Sequence, residues 1–136
     1  MLEARTLSVS IDWEWTDLYE LIWRPEFFPK WATGLSKSCL TRDGDRWRAE
    51  GPEGGIWIRF TAQNGFGVMD HYVDLGSGPE IYVPLRVVEN HGGAEVLLTL
   101  FRQAGMSDEQ LRADAEWVER DLLVLRKITA PGRAAL

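Results

Sequence analysis

The chain has 136 residues, with 15 Lys plus Arg against 21 Asp plus Glu, a net charge of −6, and seven Trp. That length suits one domain rather than two, expected over residues 1–136, and the acidic balance lacks the basic stripe of a nucleic-acid binder. With 45% apolar and 26% charged residues the chain is too rich in core formers to be disordered. Its longest aliphatic run, Leu122 to Leu125, is far short of the ~20 residues of a membrane span.

Residues 6–12 alternate Leu7, Val9 and Ile11 with Ser8 and Ser10, which predicts a strand with one buried face. The spacing then turns helical. Leu18, Leu21 and Ile22 fall at i, i+3 and i+4, which predicts a helix over 14–23 that Pro25 stops. Pro25 and Pro29 bracket a second short helix ending near Trp31. From Leu35 onward the period falls to two. Turn signals recur at Asp43-Gly44-Asp45, Pro52-Glu53-Gly54-Gly55, Asn64-Gly65, Gly76-Ser77-Gly78-Pro79 and Asn90-His91-Gly92-Gly93. The strands between them include Ile56 to Phe60, Phe66 to Asp74, Glu80 to Val88 and Ala94 to Arg102. Six strands follow the helices, seven with the first, and their short connections predict antiparallel neighbours.

The last element is the clearest. Ser107-Asp108-Glu109-Gln110 is a capping box, and Asp108 and Glu109 suit the positive end of a helix. The helix runs to about Ile128, before Pro131-Gly132, and residues 130–136 read as a frayed tail. The order is therefore α+β: a curved seven-stranded antiparallel sheet wrapped around a long C-terminal helix, with two short helices after the first strand. Such a sheet leaves a concave apolar space of the kind that takes small ligands.

On that last helix Leu111, Ala115, Val118, Leu122 and Leu125 form one apolar arc, and Asp114 and Asp121 fall inside it. A buried carboxylate needs a partner, water or a raised pKa. Each is either a structural group on a wet cavity wall or a ligand-anchoring, acid-base group. Their seven-residue separation, ~10.5 Å along the axis, is too wide for a catalytic carboxylate pair. On the late strands Tyr82 and Arg86 share one face, and Glu95 and Thr99 share another. If these mixed faces point inward, they ring a polar spot with Asp114 and Asp121. If they point outward, they are solvated sheet surface. His71 cannot lean on Asp70, because neighbours on a strand face opposite ways; it reads as a hydrogen-bonded structural His or an interior base. Trp31, Trp57 and Trp117 either line the cavity or fill core, and Trp13, Trp15 and Trp23 cap a mouth or form a partner surface. Cys39 stands alone, no His/Cys cluster or nucleophile elbow is readable, and the glycines are turn glycines.

The strings Ser8 to Ile11, Asp17-Leu18-Tyr19 through Pro25-Glu26, and Pro29-Lys30-Trp31-Ala32-Thr33-Gly34-Leu35 resemble the SRPBCC (START-like, birch-pollen-allergen-like) superfamily in its polyketide-cyclase-like branch. So do Asn64 to His71, Val83 to Val88, Glu95 to Arg102, and Gly105 to Glu109 leading into Asp114 and Asp121-Leu122. The likeness spans roughly residues 5–129; Asp12-Trp13-Glu14-Trp15 departs from it, where such proteins usually carry small residues or Pro. The resemblance implies a helix-grip fold with a hydrophobic cavity under the C-terminal helix. Members bind lipids, polyketides, sterols or quinones, some are cyclases or hydroxylase partners, and no settled catalytic residues carry over.

The expected function is binding of a small hydrophobic molecule, with no intrinsic cofactor and no metal, by a cytoplasmic protein that has no signal peptide, no nucleic-acid partner and no membrane span. The candidate ligand-binding residues are Trp31, Trp57, His71, Tyr82, Arg86, Glu95, Thr99, Asp114, Trp117 and Asp121. One alternative is a cyclase or aromatase in which Asp114, Arg86 or His71 moves protons. The other is a homodimeric interaction module with a vestigial pocket.

Overall fold

The computed structural model describes residues 1–33, 39–51 and 54–130. It runs β1 (Ala4–Ile11), α1 (Trp15–Ile22), a 3₁₀ helix (Pro25–Lys30), β2 (Thr41–Asp43), β3 (Arg46–Gly51), β4 (Gly54–Phe60), β5 (His71–Asp74), β6 (Ile81–Val83), β7 (Leu85–Asn90), β8 (Gly93–Phe101) and α2 (Asp108–Thr129). The expected strand near Leu35, the Pro52-Glu53 part of one turn and the expected tail beyond Ala130 lie outside the described residues.

Among the described residues every strand pairing is antiparallel, in the orders β1-β8-β7 and β2-β3-β4-β5-β6. Only Pro84 separates β6 from β7. Proline has no N–H to give a ladder, and here its carbonyl still accepts from Thr99 N at 3.0 Å. The chain thus bends from one group into the other where a single predicted strand over Glu80 to Val88 becomes two, so among the described residues eight strands stand where seven were expected.

The predicted strand from Phe66 to Asp74 also shortens, to His71–Asp74. Asn64 causes this. Its Oδ1 accepts from Phe66 N and Val68 N, and its Nδ2 donates to Ala62 O and Val68 O, closing a side-chain-held loop before the strand. Gly67 sits in that loop at φ +69°, where a Cβ would lie 2.1 Å from Val87 O, so only glycine fits.

Glu14 caps α1, its carboxylate accepting from Thr16 N at 2.9 Å, and the helix buries Leu18, Tyr19 and Ile22. Ser107 Oγ caps α2 by accepting from Gln110 N at 3.1 Å, as the capping box predicts. At the other end of α2, Trp13 Nε1 donates to Thr129 O at 2.9 Å. Trp13, in the aromatic stretch after β1, therefore pins the C-terminus of the long helix.

α2 lies against the sheet through Leu111, Ala115, Leu122 and Leu125, packing mainly on β1. The concave face answers with Val9 and Ile11, Ile56 and Ile58, Val73, Leu85 and Val87, and Ala94, Val96 and Leu98. Each fully buried aliphatic side chain of this kind contributes roughly 1.5–3 kcal/mol. Among the described residues no helix is long and apolar enough to cross a membrane.

Candidate functional site

The concave interior holds an aromatic box. The 3₁₀ helix supplies Phe28, the residue after it is Trp31, β4 ends in Phe60, and β5 begins with His71. Phe28 meets Trp31, Phe60 and His71 edge-on at ring separations of 5.4, 5.3 and 5.2 Å. Phe60 lies 5.8 Å from His71. Such edge contacts set the positive rim of one ring against the negative face of the next.

His71 is 1% exposed, with Nδ1 3.2 Å from Met69 O. Burial pushes its pKa down to about 4, against the opposing pull of the Met69 carbonyl and of Asp70. The ring is therefore neutral at pH 7. Facing a carbonyl acceptor, Nδ1 carries the proton and Nε2 is left basic. A neutral imidazole of this kind can accept a hydrogen bond or a proton, but it sits among apolar rings that disfavour the charged product.

Trp31 is also 1% exposed, and its Nε1 has no acceptor among the described residues. Trp23 Nε1 is in the same position. A buried donor without a partner costs about 1–3 kcal/mol. Two residues beyond Trp31, Thr33 Oγ1 donates to Asp121 Oδ1 at 2.9 Å, tying this segment to α2. Asp121 is 7% exposed and faces the sheet, where the helical spacing put it. Asp114 is half-buried, and burial pushes its carboxyl pKa up.

The mixed strand faces do not point inward. Val83, Leu85 and Val87 are buried, so Tyr82 and Arg86 between them lie on the convex face. Glu95 and Thr99 lie there too, alternating with buried Ala94, Val96 and Leu98. Glu95 accepts from Ser10 Oγ at 2.6 Å, and Thr99 shares a 2.8 Å hydrogen bond with Thr6. Trp57, between Ile56 and Ile58, is likewise convex. Its Nε1 donates to Asp43 at 3.1 Å, with Arg46 and Arg48 packed 5.5 and 5.7 Å from its ring. Trp117 lies on the solvent side of α2, 43% exposed. Of the two alternatives the outward one holds, and the polar ring does not form. Of the ten candidates Trp31, His71 and Asp121 are interior, Asp114 is at the margin, and Trp57, Tyr82, Arg86, Glu95, Thr99 and Trp117 are outside.

The convex residues are organised around Asp70, which the sequence reading did not connect to them. Arg86 Nε donates to Oδ1 at 2.9 Å and its Nη2 to Oδ2 at 2.8 Å. Tyr82 Oη donates to Oδ2 at 2.7 Å, and Leu85 N to Oδ1 at 2.9 Å. Burial alone would raise the Asp70 pKa, but these four donors outweigh it and hold the carboxyl down at about 2. Tyr82 stacks between Tyr72 at 5.1 Å and Phe101 at 6.2 Å, and Arg59 lies 4.3 Å over Tyr72. The signal was present in the hairpin. The Gly76–Pro79 turn sets Tyr72 opposite Tyr82, so Asp70, two residues earlier on the same face, falls between Tyr82 and Arg86. Phe28 and Phe60 carried no such signal, because the box forms only when the 3₁₀ helix folds onto the sheet.

Among the described residues, two of the surface recesses lie away from the aromatic box, which lines neither. One, of about 500 Å³, runs between β1 and α2; the other, of about 430 Å³, lies beside the β7–β8 turn. Among the described residues no group of three His, Cys, Asp or Glu is placed to hold a metal ion.

No protein-family model and no curated protein matches the sequence. Solved structures do match the fold. XoxI from Bacillus cereus superposes with a TM-score of 0.72 at 18% identity, over 93% of this chain and 95% of that one. The Aha1 dimer from Colwellia psychrerythraea gives 0.68 at 14% identity, over 92% and 94%. The di-domain ARO/CYC BexL from the BE-7585A biosynthetic pathway gives 0.70 at 15% identity, over 93% of this chain and 46% of that one. Identities this low establish the shared architecture and nothing finer.

Proposed function

We propose that this chain, which has the helix-grip fold of the SRPBCC superfamily, binds a small hydrophobic molecule bearing a carbonyl-type acceptor between α2 and the concave face, beside Trp31. The observation that carries the proposal is the Trp31 indole N–H, buried in an apolar box with no acceptor among the described residues. A ligand oxygen would satisfy it and remove a cost of about 1–3 kcal/mol, while Phe28 and Phe60 give the ligand apolar walls. The neutral His71 ring adds a polar contact without a buried charge. The likeness to an ARO/CYC protein of a biosynthetic pathway is in keeping with a polyketide or lipid as occupant.

The test is native mass spectrometry of protein purified without denaturant, compared with its denatured mass. A retained small molecule extractable into organic solvent is expected. The same protein, once stripped, should bind 8-anilinonaphthalene-1-sulfonate. Trp31→Phe should keep the circular dichroism spectrum while lowering occupancy several-fold. A chain that carries no small molecule and takes up no probe would refute the proposal.

A further inference from the structure

Among the described residues, the outer strands β2 and β1 are built differently. β2 closes one edge with three exposed residues, Thr41-Arg42-Asp43, two of them charged. Short, charged edge strands discourage pairing with other chains. β1 closes the other edge with eight residues paired to β8 in unbroken register, from Ala4 opposite Phe101 to Ile11 opposite Ala94. It has no proline, no lysine, no bulge and one charge, Arg5.

The direction of the free groups on β1 follows from the ladder. Thr99 N bonds Pro84 O, on the side of β8 away from β1, and Arg102 N bonds Glu3 O. Antiparallel residues alternate in the side to which they turn both N–H and C=O. Leu98, Val96 and Ala94 therefore bond their partners Leu7, Val9 and Ile11, and Thr6, Ser8 and Ser10 turn their main-chain groups to the open edge. The recess of about 500 Å³ runs along this edge, with Glu119, Leu123 and Arg126 of α2 on its far wall. Leu123 is 43% exposed, and among the described residues neither Glu119 nor Arg126 makes an ion pair.

We propose that this edge binds a second copy of the same chain, β1 against β1, about a two-fold axis at Ser8. Pairing Ser8 with its counterpart sets Thr6 opposite Ser10 twice, so Thr6, Ser8 and Ser10 all exchange main-chain hydrogen bonds. The same axis runs the two copies of α2 antiparallel. Glu119 and Arg126, seven residues or ~10.5 Å apart, then meet each other's counterparts as two opposite-charge pairs. Leu123 of each copy fills the middle. The groove is self-complementary in sign as well as in main-chain pattern, which favours a second copy over an unrelated peptide. This inference is independent of any ligand under α2.

Sedimentation velocity on the purified 15.5 kDa chain should show a concentration-dependent dimer. Ser8→Pro removes one outward N–H without touching the bonds to β8 and should raise the dimer Kd at least about tenfold. Glu119→Arg sets like charges against each other and should do the same, and the double variant Glu119→Arg, Arg126→Glu should restore the dimer, because the swap keeps the two-fold complementarity. If Ser8→Pro perturbs the fold, the surface charge pair decides alone. A chain that stays monomeric at hundreds of micromolar, or a dimer that Glu119→Arg leaves intact, would overturn the proposal.

Discussion

Asp70 and His71 are neighbours in sequence and opposites in surroundings. His71 turns to the concave face, where Phe28, Phe60 and Trp31 leave it nearly dry and neutral. Asp70 turns to the convex face, where Arg86, Tyr82 and a main-chain N–H hold it ionised. One step along the chain thus crosses from a face that coheres by apolar packing to one that coheres by charged and aromatic pairs. Cohesion is more expensive to lose on the concave side. Apolar packing fails by leaving a cavity, while a rim ion pair fails only as far as solvent cannot replace the partner.

The largest loss is expected on the concave side. Leu125→Ala empties a fully buried site between α2 and the sheet. It should cost about 2–5 kcal/mol in urea unfolding at pH 7. Next comes pH. The folded pKa of His71, about 4, lies below its ordinary 6.5, so between those values the unfolded chain binds more protons. Its contribution, of order 3 kcal/mol, is complete above pH 6.5 and drains away as the pH falls to about 4. His71→Gln should flatten that slope in denaturation curves taken across the window.

The convex side should respond less. Arg86→Ala leaves Asp70 with two donors instead of four and should cost about 1–3 kcal/mol. The depressed carboxyl of Asp70 stabilises the fold above its ordinary value of 3.8, and that stability is lost as the pH falls toward about 2. Without Arg86 the folded carboxyl titrates closer to its ordinary value, so this acid-linked loss should shrink, measurable as a flatter dependence of unfolding free energy on pH below 3.8. The smallest effect is expected at the boundary of the two environments. Asp114 is half-buried with a raised pKa, so its ionised form opposes folding and stability there rises as the pH drops. Asp114→Leu should be neutral or stabilise by up to about 1 kcal/mol at pH 7. A clear loss would mean that Asp114 carries a favourable contact.

The local elements were legible because local chemistry sets them. Ser107 and Gln110 announced the start of α2, Pro25 the end of α1, and the glycine-rich turns the strand boundaries. Pro84 misled only on strand count, since a missing N–H breaks a ladder without ending the extended chain. The helical wheel placed Asp121 inward because 3.6-residue periodicity leaves few choices once five apolar neighbours agree. Tyr82, Arg86, Glu95 and Thr99 were harder. Both faces of their strands carry apolar residues, and Val83, Leu85 and Val87 compete with Tyr82 and Pro84 on nearly equal terms.

By itself the sequence determined the order and type of the elements, the α+β class, the partition of each strand into two alternating sets, and the inward stripe of α2. Only the tertiary structure decided which set faces α2, that Phe28, Trp31, Phe60 and His71 meet, and that Asp70 gathers Arg86 and Tyr82. The reason is physical. Periodicity is a property of a segment's own backbone, whereas burial of one face depends on what another segment, distant in sequence, lays against it.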